Sequence, residues 1–352
     1  MSLPDPRHYG GVPSNALAEL ASRNNDGALR AAVAQCVAAH RDDEIVQAYA
    51  AVTSQVEYLR LWEAVCAAIE APPSEAQIVT RVFAMPWVMV CAARAAATIS
   101  CILQDVNALV RALEDRGALG ANRNVGFANS LCSVEELERL APSTIRDWST
   151  AAAGARECPP AAIALAPGVE TVHLRFLLGA AVAPVHEPGV VETAANIGLW
   201  GMQATRAMTA QLAAPGVDVL PLPRPPASII KAAYYGRRAA LEAALDLFLS
   251  NTVRRFRTKV GDPTIIISAH EGNEVRVTLC SLLDEGMTEG FRWPLHPLDD
   301  LVEIEESITG FAHACRLTAI ETIEQTLPDR TSTGAMCFPS LESIHARTPQ
   351  QH

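Results

Sequence analysis

Apolar and polar positions carry their clearest pattern between residues 264 and 294. Thr264-Ile-Ile-Ile-Ser-Ala-His-Glu271 leads into Gly272-Asn273 and then Glu274-Val-Arg-Val-Thr-Leu-Cys280. Two β-branched runs around a Gly-Asn dipeptide predict a β-hairpin. With Gly272 and Asn273 as its loop, Glu271 faces Glu274, His270 faces Val275, Ser268 faces Val277 and Ile266 faces Leu279. Alternate residues share a face. That register therefore leaves Ile265, Ile267, Arg276, Thr278 and Cys280 on the other face. The facing glutamates place the hairpin tip in water, and the isoleucines place its base under cover on both sides. Phe291-Arg-Trp-Pro294 reads as a third strand, completing an antiparallel meander.

Elsewhere the apolar period is mostly helical. Asp26 is placed to cap a helix through Leu29, Val33, Cys36 and Val37. A long amphipathic helix is expected from Asp42 or Asp43, with Ile45, Tyr49, Val52, Val56, Leu59, Trp62, Cys66 and Ile69 in steps of three and four. Pro72-Pro73 ends it. Residues 1–13 read as a loose leader and 14–73 as a helical region.

The middle, 74–226, reads as mixed α/β. Arg81-Val-Phe-Ala-Met-Pro-Trp-Val-Met-Val90 and His173-Leu-Arg-Phe-Leu-Leu-Gly-Ala-Ala-Val-Ala183 are apolar runs of strand type. Each is followed by a helical stretch and a second strand, around 125–129 and 217–223. This suggests a duplicated strand-helix-strand unit, with 151–167 as linker. Ser133-Val-Glu-Glu136 is a capping box between them. Residues 83–103 contain one charge, Arg94, and are broken by Pro86; a buried strand followed by a buried helix fits them better than a membrane span.

The last region, 227–327, reads as a long helix, the meander and a helix from Asp299, its N-cap, to about Leu327. Residues 328–352 have the composition of a disordered tail. The expected class is α+β: mainly helical and alanine-rich, with a mixed α/β middle and a C-terminal meander flanked by two long helices.

Composition narrows the function classes. The net charge of −11 argues against nonspecific nucleic-acid binding as the main task. Hydrophobic residues reach 49% with only 19% charged, which suggests a surface covered by a partner protein or a second copy of the chain. The nine cysteines are irregularly spaced with no C-x-x-C. They fit reduced, buried thiols and a cytoplasmic protein. No basic-then-apolar leader opens the sequence. G-x-S-x-G, the phosphate loop, G-x-G-x-x-G after a strand, and H-E-x-x-H are all missing, so no cofactor or metal is implied.

Three residue groups remain as candidate sites. Arg237, Arg238, Arg254, Arg255, Arg257 and Lys259 lie along one helix and could bind an acidic partner. Adjacent residues diverge on a helix, so Arg254 and Arg255 do not form one focused patch with Arg257. His173, His186 and Arg224 lie near the ends of the middle strands, where a small-molecule site would form. His270, with His296 and Asp299, could supply acid-base or metal chemistry. The sequence favours a noncatalytic, self-associating assembly or adaptor protein. A small-molecule enzyme or binding module is the alternative, and nucleic-acid or acidic-partner binding through 254–259 the third reading.

Overall fold

The computed structural model describes residues 16–23, 25–70, 78–92, 94–119, 123–150, 162–167, 170–184, 197–212, 216–222, 226–281, 287–330, 336 and 338. The expected leader (1–13), most of the linker and most of the tail lie outside the described residues. The class is α+β. The chain divides into two compact units, 1–237 and 238–352. No helix among the described residues is long and apolar enough to cross a membrane.

The first unit opens with four helices, α1 (Ala16–Ser22), α2 (Asp26–Ala38), α3 (Asp42–Ala51) and α4 (Gln55–Ala68). Asn25, not Asp26, caps α2, its side chain accepting from the Ala28 amide. The single helix expected over residues 42–70 is two helices. Val52 is extended, and Ser54 starts α4 through a reciprocal capping box with Glu57. That restart rotates the buried stripe. Ile45, Ala48, Tyr58, Leu61 and Val65 enter the core, while Val56 and Leu59 are exposed. The Ser54-x-x-Glu57 signature was the legible signal for the break.

A four-stranded antiparallel sheet follows, built from β1 (Ile78–Ala92), β3 (Arg123–Cys132), β5 (Glu170–Pro184) and β6 (Val217–Pro221). A separate ribbon pairs β2 (Ala97–Ser100) with β4 (Ala162–Leu165). β2 is therefore a strand where a buried helix was expected. The sheet order is β3-β5-β1-β6. Both β1 and β3 run antiparallel to β5, so they run parallel to each other with β5 between them. β5 and β6 are likewise separated by β1. The two strand-helix-strand units thus interleave, one through α5 (Val106–Glu114) and the other through α8 (Ile197–Leu212). This is the split β-α-β topology of ferredoxin-like sheets.

Both faces of the sheet are buried, which explains why β1 and β5 read as continuous apolar runs. Phe83, Met85, Trp87, Met89 and Cys91 face α5 and α8, packing on Leu109, Leu113, Ala204 and Met208. Val82 and Ala84 face the other way. They meet Val134 and Leu137 of α6 (Val134–Glu138), Ile145 of α7 (Pro142–Thr150) and the start of α9 (Ile229–Lys259) at Ile229 and Ala233. Phe83 and Phe127 meet edge to face over Gly179, with ring centroids 5.8 Å apart. A Cβ at Gly179 would lie 2.5 Å from the Phe83 ring, so the aromatic pair requires glycine there.

The second unit, which starts within α9, carries β7 (Thr264–His270), β8 (Glu274–Cys280), β9 (Thr288–Pro294), α10 (Leu301–Ala314) and β10 (Ile320–Leu327). The meander is present, and β10 adds a fourth strand parallel to β7, giving the order β10-β7-β8-β9. The helix expected to run to Leu327 ends at Ala314. Arg316 takes φ 59°, its amide bonds His313 O at 2.8 Å, and Leu317 N bonds Ala312 O at 3.0 Å. These are the two hydrogen bonds of a Schellman cap, here with arginine in the position glycine usually holds. The chain beyond, Ile320-Glu-Thr-Ile323, is β-branched and pairs as a strand. Asp300, not Asp299, is the N-cap of α10, accepting from Val302 N at 2.9 Å.

The hairpin register is shifted by one residue from the expected one. The loop has three residues, Glu271, Gly272 and Asn273, with Asn273 at φ 57°. Such loops place their last residue in the left-handed region. Opposite pairs are therefore His270 with Glu274, Ser268 with Arg276 and Ile266 with Thr278. A one-residue slip exchanges the faces of one strand relative to the other. Ile265, Ile267, Val275, Val277 and Leu279 now share the inner face and pack on Leu245, Leu249, Val253 and Phe256 of α9 and Ile304 and Ile308 of α10. The polar residues gather on the outer face. Glu274, expected near a solvated tip, is buried.

Candidate functional site

The structure scatters most of the basic cluster and concentrates part of it. Arg237 lies 4.0 Å from Glu138. Arg238 bridges Glu242 and Glu303, at 3.3 Å and 2.7 Å, and these carboxylates favour its charged form. Arg255 pairs with Glu289. Lys259 is exposed at the end of α9. Arg254 and Arg257, by contrast, are three residues apart and hence neighbours on the helix surface. Both line a cleft of about 470 Å³ between the last turns of α9 and the end of α10. The three arginines form no single patch, since Arg255 turns to Glu289, but Arg254 and Arg257 meet at the cleft.

The cleft is built from Ser250, Val253, Arg254, Arg257 and Thr258 on α9, and Ala314, Cys315 and Arg316 opposite. Val253 is buried and, with Ala314 and Cys315, makes an apolar floor. Arg257 is fixed: Nε reaches Asp262 Oδ1 at 2.5 Å, and Nη2 donates to the carbonyls of Cys315 and Arg316 at 3.1 and 3.3 Å. It thereby satisfies carbonyls that the end of α10 leaves open. Among the described residues Arg254 donates only a long bond, 3.5 Å, to Asn251 Oδ1. Neither Arg254 nor Arg316 has a carboxylate partner among the described residues. Two exposed guanidinium groups, each with a planar donor fork, flank an apolar floor. That arrangement can hold carboxylates and a short apolar side chain. Sequence reasoning missed Arg316, because extending α10 to Leu327 hid the turn that places it at the cleft.

The histidine candidates resolve into separate local structures. His270 Nδ1 lies 3.1 Å from the Pro328 carbonyl and Nε2 lies 3.0 Å from Ser268 Oγ. The carbonyl can only accept, so Nδ1 carries the proton. Burial, with Arg276 nearby, pushes the His270 pKa below the usual value despite that bond. His296 and Asp299 close a turn on each other: the His296 amide donates to Asp299 Oδ2 at 2.7 Å, and Leu298 N donates to His296 Nδ1 at 3.2 Å. No group of three or more potential metal ligands occurs among the described residues. In the first unit, His173 Nε2 lies 2.9 Å from Thr171 Oγ1, and burial lowers its pKa. His186 and Arg224 lie outside the described residues.

Around His270 the outer face of the second sheet holds a buried ionic network. Arg276 and Glu274 are 2% and 3% exposed. Arg276 Nε donates to Glu274 Oε1 at 2.5 Å, and Arg292 Nε donates to Oε2 at 2.8 Å. Burial alone would raise the Glu274 pKa, but the hydrogen bonds from Arg292 and Arg276 prevail and hold it below the usual carboxylate range. Of the seven described cysteines, all free, only Cys315 is not buried. Burial raises the thiol pKa of Cys36, Cys91 and Cys101, and that of Cys66 to about 12. No known protein family, curated protein or solved structure matches this chain.

Proposed function

We propose that the chain is a noncatalytic interaction protein whose second unit grips an acidic segment of a protein partner in the α9–α10 cleft. One observation carries this reading. In a chain of net charge −11, Arg254 and Arg316 stand on either side of an apolar floor with no carboxylate partner among the described residues. A carboxylate paired with an exposed arginine is worth only about 0.2–1 kcal/mol. Two such contacts plus one small buried side chain give a weak, salt-sensitive interaction suited to assembly or adaptor work. A protein segment fits better than nucleic acid, because the surrounding charge of the chain repels a polyphosphate backbone.

Cys315 offers the test, since it lines the cleft and is the one described thiol that is not buried. A peptide of alternating glutamate and leucine, at saturation, slows alkylation of Cys315 by iodoacetamide. A lysine-leucine peptide of the same length leaves the rate unchanged. Equal rates with and without the acidic peptide contradict the reading.

A further inference from the structure

We infer that the outer face of the second sheet is a peptide-binding site, specific for a segment bearing a carboxylate and an aromatic ring, which the chain's own residues 327–330 and Phe338 occupy in cis. The helices α9 and α10 cover the inner face and supply the apolar core of the unit. Beyond a small apolar end at Ile266 and Cys280, the outer face presents Ser268, His270, Glu274, Arg276 and Thr278, all buried. A face covered only for packing would be apolar, because a desolvated ion pair is a poor source of stability.

The covering segment is met as a ligand is met. The Asp329 carboxylate accepts from the Gly272 amide at 2.5 Å and lies 3.9 Å from Arg276 Nη2. The Asp329 carbonyl accepts from Arg276 Nη1 at 2.8 Å, and the Pro328 carbonyl from His270 Nδ1 at 3.1 Å. The Glu271 amide donates to the Leu327 carbonyl at 2.9 Å. The Phe338 ring sits 5.6 Å from the Arg276 guanidinium carbon, within cation–π range. It rests on Gly290, where a Cβ would overlap the ring. Gly290 pairs directly with Thr278, whose buried hydroxyl has no hydrogen-bond partner among the described residues. Arg276 thus reads three features of one segment: a backbone carbonyl, a carboxylate and a ring. Glu274 and Arg292 hold it in place.

Tethering keeps the local concentration of the segment near the millimolar range, so a free copy competes poorly. The full-length chain carrying both Asp329→Asn and Phe338→Ala loosens the resident segment while leaving the receiving face intact. A fluorescein-labelled peptide of residues 327–338 is expected to bind this variant saturably and the wild-type chain at least tenfold more weakly. The same peptide carrying both substitutions loses binding tenfold or more. A variant that keeps its circular dichroism yet ignores the wild-type peptide overturns the inference, as does equal binding by variant and wild type. If the variant does not fold, the wild-type chain decides. Excess unlabelled peptide carrying Arg330→Gln, which trypsin cannot cut, must then accelerate tryptic cleavage of the chain after Arg330; an unchanged cleavage rate overturns the inference.

Discussion

Replacing Arg276 with methionine isolates the energetics of the outer face. Methionine keeps most of the side-chain volume and removes the charge and every donor. Glu274, 3% exposed, then keeps only Arg292 as a described ionic partner, and the Arg292 side chain is 53% exposed. Leaving one member of a buried pair costs about 3–5 kcal/mol. Arg292 still serves one carboxylate oxygen, which argues for the lower end, about 3 kcal/mol. Loss of the contact with the Phe338 ring adds roughly 0.5–1 kcal/mol. Replacing Glu274 with glutamine in the same chain removes the stranded charge, so the double variant loses less than Arg276→Met alone. Urea unfolding followed by circular dichroism reports these differences. A loss below about 1 kcal/mol for Arg276→Met, or a double variant that loses the sum of the two single changes, would refute the reasoning.

Other outcomes follow from the same geometry. The second unit loses stability on acidification. His270 has a lowered pKa in the fold, so its contribution is full above about pH 6.5, the unfolded value, and is lost as pH falls further. The lowered pKa of Glu274 gives a second loss below about pH 4.3. Its neighbours Ser268, Arg276, Glu274 and Asp329 surround His270, and His270→Gln should remove the first step from a series of thermal melts while leaving the second. Among the described cysteines, Cys315 reacts first with a maleimide, and peptide mapping after brief labelling checks this; earlier labelling of Cys66 or Cys91 contradicts the burial pattern. Gly179→Ala drives a methyl group into Phe83 and destabilises the first unit by about 1–3 kcal/mol, measurable by thermal unfolding.

The parts of this fold that were legible in sequence are those where local chemistry is decisive. The β-branched runs around Gly272-Asn273 gave the hairpin, Ser133-x-x-Glu136 gave the start of α6, and the apolar runs gave β1 and β5. Register was not legible, because Gly-Asn serves a two-residue or a three-residue loop and only packing on α9 and α10 selects between them. The end of α10 was hidden because a Schellman cap normally announces itself with glycine, and here Arg316 adopts the left-handed conformation. That one misreading concealed both β10 and the cleft. The ionic network was invisible for a related reason. The expected register divided His270 and Arg276 between opposite faces, whereas the observed one joins them. The interleaving of β1, β5, β3 and β6 depends on pairings as distant as Trp87 with Pro221, 134 residues apart, which no local pattern encodes.

The most direct test of the α9–α10 cleft is a fluorescence anisotropy titration of the labelled glutamate-leucine peptide against the wild-type chain and a variant carrying Arg254→Glu and Arg316→Glu. The account predicts saturable binding to the wild type that weakens as salt is raised, and at least a tenfold loss in the variant, with unchanged circular dichroism. Equal affinity for the two chains, or binding indifferent to salt, would contradict it.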